Sequence, residues 1–362
     1  MRGRKERQAE MLLGVTPDQL IPTNHPIRAI REVVDAVLEQ LSPLFSAMYE
    51  PIGRPSVPPE HLLKASILMA LYSLRSERQF CERLQYDILF KWFLDLNISE
   101  RAFDATTFTK NRERLLEHDI ARAFFGEVVR EAQGRRLLSE DHFSVDGTLI
   151  QAWASLKSYR PRDEQDPPAG GGRNPDVDFH GQQRSRETHV SRTDPEALLF
   201  KKAASEAARL SYIGHALIEN RHGLVVDVQL TQATGGAERE AAIAMVDRMK
   251  ERKKGITLGA DKGYDTYAFQ EQLAARDVTS HVAWNDGLKR RPIPDALDQD
   301  PAYQRSQRRR KLVEEVFGWM KTVGAGRKLR YIGLTRNQHW ATLTAAVYNL
   351  VRMAKLGMPA GA

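Results

Sequence analysis

The chain has one cysteine, Cys81, in 362 residues, which excludes an internal disulfide and any cysteine-rich zinc site. That thiol sits in a helical pattern and is expected to be a small buried side chain in a reducing, cytoplasmic setting. No run of eighteen apolar residues occurs, which argues against a membrane-spanning helix. The charged start, Met1-Arg2-Gly3-Arg4-Lys5-Glu6-Arg7, has no apolar segment behind it and so lacks the form of a secretory signal. A phosphate-cradling Gly-Lys-Ser/Thr loop is missing, which argues against an ATP-driven step. Internal repeats are absent. His180, His189 and His339 lack metal-ligand spacing and read as solvated or capping residues.

Acid is scarce where base is dense. Between Tyr303 and Arg336 ten basic side chains face two acidic ones, Glu314 and Glu315. The whole chain carries a formal charge of +7 with a pI near 9.4, and this local excess marks where a polyanion would sit. Hydrophobic residues at 41% and charged residues at 28% give the balance of a soluble globular protein long enough for two cored domains.

Residues 1–136 read as helical throughout. Pro58-Pro59 introduces an apolar helix over Glu60–Leu74, and Ser76-Glu77-Arg78-Gln79 has the form of a capping box opening the next, through Leu84. A third pattern covers Tyr86–Leu96. Asp104 is placed to cap a helix over Thr106–Leu116, whose one face gathers Thr107, Lys110, Asn111 and Arg114. Ile120–Gln133 follows. Beyond Asp141 the texture changes to short strands, over 137–356, with a Pro- and Gly-rich insertion at about 157–196 that includes Pro167–Gly172.

Two of these strands end on an acid. His142–Asp146 is followed by Gly147, and Ile256–Asp261 by Lys262-Gly263-Tyr264. Between them Tyr212–Ile218 and Leu224–Leu230 form a hairpin, and Glu238–Lys250 a helix. A helix over Tyr267–Ala275, a strand over His281–Trp284, and a closing amphipathic helix over Gln338–Lys355 complete the pattern. Read as one helix, the stretch Arg308–Lys321 buries Val313, Val316, Phe317 and Met320 and lines up Arg310, Glu314 and Lys321 beside them. Taken alone, Asp146-Gly147 reads as a strand-ending turn, and Arg310–Glu314 as a solvated i,i+4 pair. Taken together, Asp146, Asp261 and Glu314 are three carboxylates suited to hold two Mg²⁺ or Mn²⁺ ions beside a phosphate backbone. Strand-Asp, hairpin, strand-Asp, helix-Glu resembles the order of the ribonuclease-H-like fold, a mixed sheet with flanking helices in the α+β or α/β class.

Nearly end to end, the chain resembles bacterial DDE-type transposases of insertion-sequence family five. In the helical region the resemblance rests on Gly53-Arg54-Pro55-Ser56, Leu71–Gln79 and Thr107-Phe108-Thr109-Lys110-Asn111-Arg112. Further on it rests on Val145-Asp146-Gly147-Thr148, Asp194-Pro195-Glu196-Ala197, Gly259–Tyr264, Val313–Trp319 and Tyr348–Arg352. Around the third acid the broader pattern is Tyr, Arg, Glu and Lys at fixed spacing. Arg310, Glu314 and Lys321 match it, and Gln307 stands where the Tyr would be. The resemblance implies that Asp146, Asp261 and Glu314 bind metal and that Arg310 and Lys321 contact the ends of the element. It implies a helix-turn-helix-like DNA-binding region over 1–136 that binds terminal inverted repeats of double-stranded DNA. It further implies metal-dependent cleavage, strand transfer into target DNA, a homodimer or larger synaptic assembly, and a nucleoid-associated cytoplasmic protein. Two alternatives use the same residues: a nuclease of this fold without strand transfer, and a non-catalytic DNA-binding protein.

Overall fold

The computed structural model describes residues 14–49, 56–163, 186–201, 207–249, 254–285 and 294–357. Gly53–Pro55, the Pro167–Gly172 run, His180 and the first thirteen residues lie outside them.

The described part of residues 1–136 is helical, as the sequence patterning predicts: α1 (Pro17–Leu20), α2 (Ile27–Ala47), α3 (Pro59–Leu71), α4 (Glu77–Tyr86), α5 (Ile88–Phe93), α6 (Ala105–Glu117) and α7 (Ile120–Gly134). Local chemistry sets their starts. The Ser76 hydroxyl accepts from the Gln79 N–H at 3.3 Å, and the Asp104 carboxylate accepts from the N–H groups of Thr106 and Thr107. In α2 the buried stripe of Ile30, Val34, Val37, Leu41 and Phe45 follows the helical period. Each such side chain contributes roughly 1.5–3 kcal/mol on burial.

A mixed six-stranded sheet follows. Its strands are β1 (His142–Gln151), β4 (Leu198–Phe200), β5 (Arg209–Glu219), β6 (Val225–Gln232), β7 (Thr257–Ala260) and β8 (Thr279–Val282). The spatial order is β6-β5-β1-β7-β8, with β4 beside the start of β5. β5 is antiparallel to β1 and β6, whereas β7 runs parallel to both β1 and β8. Three antiparallel strands, β1, β5 and β6, with two parallel ones on the far side of the first, is the ribonuclease-H-like order. α8 (Ala237–Arg248) and α9 (Tyr267–Ala274) pack with Phe143, Val145 and Leu258 on one face. The other face receives α11 (Pro301–Arg309), which α10 (Asp295–Asp298) precedes and packs against, together with α12 (Leu312–Thr322) and α13 (Leu334–Gly357).

α13 joins the two halves. It packs on α2, α3 and α7 and also on β6, so one apolar core runs from Val34 and Phe124 through Val347 to Ile150 and Val228. It also shields the edge of the sheet. Asn349 both accepts from the Val225 N–H and donates to the Val225 carbonyl at 2.8 Å, and Gln338 accepts from the Leu230 N–H at 2.6 Å. Side-chain amides thus satisfy backbone groups that an open edge would offer to another strand.

Four expectations change. β1 runs on to Gln151 rather than stopping at Asp146, because Gly147–Gln151 continue the ladder against Ser211–His215. The basic stretch is two helices rather than one, broken at Arg310 and Lys311. The borders of the 157–196 insertion are folded: β2 (Tyr159–Pro161) pairs with β3 (His189–Ser191), and Asp194 is fully buried. His189 stacks on Tyr159 at 5.5 Å, and burial holds His339 at a pKa of about 4, so neither is solvated.

Candidate active site

The register of β1 against β7 builds the centre. His142 faces Thr257, Phe143 faces Leu258 and Ser144 faces Gly259. Carried two residues further, the same register sets Asp146 beside Asp261 on one face of the sheet. Backbone N–H groups orient both carboxylates: Gly147 donates to Asp146 Oδ1 and Gly263 to Asp261 Oδ1, each at 2.8 Å. The first is a mid-strand residue. Asp261, by contrast, caps the turn that ends β7.

α12 lies across β1 on that face, held by buried Val313, Val316, Phe317 and Met320. From its far end the Lys321 ammonium donates to the Thr148 hydroxyl at 2.6 Å, two residues along β1 from Asp146. Glu314 sits about two turns earlier, exposed, while Glu315 turns toward Arg352 at 3.5 Å. Among the described residues no ion pair joins Arg310 to Glu314, and no three His, Cys, Asp or Glu side chains are gathered closely enough to hold a metal ion. Arg310, partly buried in the break between α11 and α12, keeps a buried Nε without a hydrogen-bond partner. Gln307, in the place of the expected Tyr, donates to the His281 carbonyl.

Two residues not foreseen in the sequence complete the neighbourhood. A Cβ built on Gly147 would lie 2.5 Å from Glu238 Oε1, so the first turn of α8 brings a fourth carboxylate against β1 next to Asp146. The Tyr264 ring is 1% exposed and its hydroxyl has no hydrogen-bond partner. Burial first, then the negative charges of Glu238, Asp146 and Asp261, push that hydroxyl well above the usual tyrosine pKa. The only signal for Glu238 in the sequence is an acid in the first turn of a helix, which the helix dipole explains equally well.

The expected base-reading face of α6 is partly turned inward. Asn111 donates to the Thr107 carbonyl at 2.8 Å, and the Arg114 guanidinium lies 4.7 Å from the Tyr49 ring centroid, whereas Lys110 is exposed. Asp194 and Glu196 serve the fold. Asp194 accepts from the Tyr212 hydroxyl at 2.7 Å and the Gly333 N–H at 3.3 Å, and Glu196 from the Leu334 N–H at the start of α13.

Residues 139–350 match the family model described as "Transposase DDE domain". The chain belongs to the DDE transposase family. Residues 15–114 match a second model, "Transposase domain (DUF772)". The transposase is therefore an enzyme of a metal-dependent, DNA-cleaving and strand-transferring family. Among solved structures it is similar to the piggyBac transposase synaptic complex with hairpin DNA, at 9% identity and a TM-score of 0.43 over 96% of this chain and 79% of that one. It is also similar to the Mos1 strand transfer complex, at 9% identity and a TM-score of 0.21 over 85% and 79%. The Mos1 mariner paired end complex with Mn gives 13% identity and a TM-score of 0.21 over 79% and 83%. Similarity this loose adds nothing to the family match.

The three acids carry the donor type that a hard divalent cation prefers, although the side chains are not gathered around one point among the described residues. Asp146, Asp261 and Glu314 offer oxygen only, on an open, partly solvated face that leaves room for water and phosphate oxygens. No membrane-spanning helix is present among the described residues.

Proposed function

We propose that Asp146, Asp261 and Glu314 hold two Mg²⁺ or Mn²⁺ ions, with which the transposase cuts DNA at the terminal inverted repeats of its element and joins the freed 3′ end to target DNA. What supports this reading is the β1–β7 register through Ser144 and Gly259, whose continuation by two residues would set Asp146 alongside Asp261 on the face crossed by the helix that bears Glu314 and Lys321. Bound divalent metal supplies positive charge at the scissile phosphate and a more acidic attacking water or hydroxyl.

The protein's own residues position the reaction. Gly147 and Gly263 hold the two aspartates in fixed orientation through their N–H groups, so no reorganisation is needed when charge develops. Lys321, beside Thr148 on the strand, and Arg310, in the break before α12, are the cations that hold flanking phosphates. The helical region over 1–136, with Thr107, Lys110, Asn111 and Arg114 on α6, recognises the repeat, and the catalytic unit spans 137–356. Bringing two ends together requires at least two protomers.

The test uses the full-length protein with a duplex carrying one terminal repeat. Asp146→Asn and Glu314→Gln should lose Mg²⁺-dependent cleavage by at least about a thousandfold while keeping repeat binding. Wild-type protein should join the cut end to a second duplex. Cleavage without joining would favour a nuclease, and undiminished cleavage by either variant would refute the metal assignment.

A further inference from the structure

Trp153 lies just past β1 in an unusual setting. Its neighbours Ala152 and Ala154 are buried, yet its own indole is 49% exposed. The strand holds it there: Ala152 N–H donates to the Leu210 carbonyl, and Leu329 N–H donates to the Gln151 carbonyl at 2.8 Å. The second bond fixes residues 328–329 alongside the strand end and sets the Lys328 ammonium 5.3 Å from the Trp153 ring centroid. Arg75, at the start of α4, donates to the Lys328 carbonyl at 2.7 Å, so the helical region meets the sheet at this point.

An open groove lies on each side. One, of about 700 Å³, is lined by Trp153, Lys328, Arg75 and Arg78, with the first turns of α4 and α6. The one acid among its described lining residues, Glu77, is engaged by Arg112 and Arg330. The other, of about 570 Å³, is lined by Lys201, Arg209, Lys321, Arg327 and Lys328, with no acidic side chain among the described lining residues. Lys328 is common to both, and Lys321 reaches Thr148 beside Asp146. A cationic surface therefore runs from the carboxylate pair, past the indole, to the N-terminal helices.

Phosphates account for the cations but not for the indole. A duplex presents its phosphates and sugars outward and keeps base faces stacked inside, where an aromatic ring at the floor of a groove does not reach them. An unpaired strand offers a flat face on every base, and stacking on an aromatic beside cations is how proteins bind such strands.

We propose that the two grooves form one track for an unpaired stretch of DNA strand, with Trp153 stacking on a base and Arg78, Arg327 and Lys328 holding phosphates on either side. The proposal rests on DNA being the substrate. It adds a strand-specific site outside the metal centre, one that engages DNA whose pairing has opened near the cut.

The experiment measures binding by full-length protein in chelator, without cleavage, to an oligothymidine of about a dozen nucleotides and to a random duplex of equal length. Trp153→Ala should weaken oligothymidine binding about tenfold or more and change duplex binding less than about twofold. Trp153→Phe, with an unchanged melting temperature, should keep most of the affinity but lose part of the tryptophan quenching seen with wild type. Paired Arg327→Gln and Lys328→Gln should weaken both ligands and flatten their salt dependence. Wild-type affinity in Trp153→Ala, equal loss on both ligands, or no oligothymidine binding by wild type would overturn it. So would a Trp153-dependent self-association with oligothymidine binding unchanged. Because no metal is present, failure here leaves the carboxylate assignment standing, whereas Mg²⁺-dependent cleavage by Asp146→Asn would refute that assignment alone.

Discussion

Glu238 reaches over the bare backbone of Gly147: a Cβ there would stand 2.5 Å from its Oε1 and 2.9 Å from its Cγ. The contact brings α8 against β1 at the residue following Asp146, and it exists because position 147 has no side chain. Glycine inside a strand ordinarily weakens it, and here it permits a close approach by a charged group.

Gly147→Ala should therefore force the Glu238 carboxylate aside and disturb the strand beside Asp146. Cleavage is expected to fall about tenfold or more with a stability loss of about 1–3 kcal/mol, the usual range for overpacking. Full activity in the alanine variant would show that Glu238 can move without consequence. Melting curves and cleavage rates, measured together, separate a local effect from a folding one.

Glu314 and Glu315 are neighbours with opposite expectations. Glu315 pairs with Arg352 at 3.5 Å on the surface, its side chain 56% exposed, so Glu315→Gln should cost less than about 1 kcal/mol and spare activity. Glu314→Gln should abolish cleavage. The reverse result would move the third ligand by one residue.

Neutralising Lys321 should act on DNA engagement. Lys321→Ala is expected to lower the log–log salt slope of duplex binding by about 0.9, one phosphate contact, in a titration across salt concentrations. An unchanged slope would confine Lys321 to its hydrogen bond with Thr148.

Glu77 ties the helical region to the rest of the chain. Its carboxylate, 13% exposed, receives Arg112 from α6, Arg330 at 2.8 Å and the Thr109 hydroxyl at 2.6 Å. Glu77→Ala leaves Arg330 partly buried without its carboxylate, while Arg112 keeps Glu113 at 3.1 Å, and should destabilise by about 3 kcal/mol, read from urea midpoints. A smaller loss would mean that water replaces the carboxylate.

His215 gives the protein an acid-side limit. Burial in β5 holds its pKa down at about 3, against about 6.5 in an unfolded chain, so it is neutral in the fold. A lowered folded pKa means that the unfolded chain binds the extra proton. Its contribution is complete above about pH 6.5 and is lost as pH falls from there toward about 3. His215→Gln should remove on the order of 2 kcal/mol of the stability change between about pH 6.5 and 4.5. An identical pH profile in the variant would contradict this.

Short-range chemistry was legible in the sequence alone. Ser76 and Asp104 cap helices because a hydroxyl or carboxylate meets N–H groups two or three residues away. The apolar stripe of Val313, Val316, Phe317 and Met320 sets the face of α12 by helical period, and Asn220–Gly223 separates two apolar runs into a hairpin. The acids Asp146, Asp261 and Glu314 stood out by their place in that order. Tertiary structure decided the rest. Asp146 lies mid-strand because β5, some seventy residues away, extends the ladder to Gln151. A helix spanning Arg308 to Lys321 is locally allowed, yet the chain breaks at Arg310 and Lys311, where Ser306 meets His281 and Leu312 meets Gly223. His189 is buried and His339 half-buried by partners no local pattern names, and Glu238 approaches Gly147 across ninety-one positions. Capping and periodicity act within one or two turns, whereas these contacts depend on which strands pair and in what register.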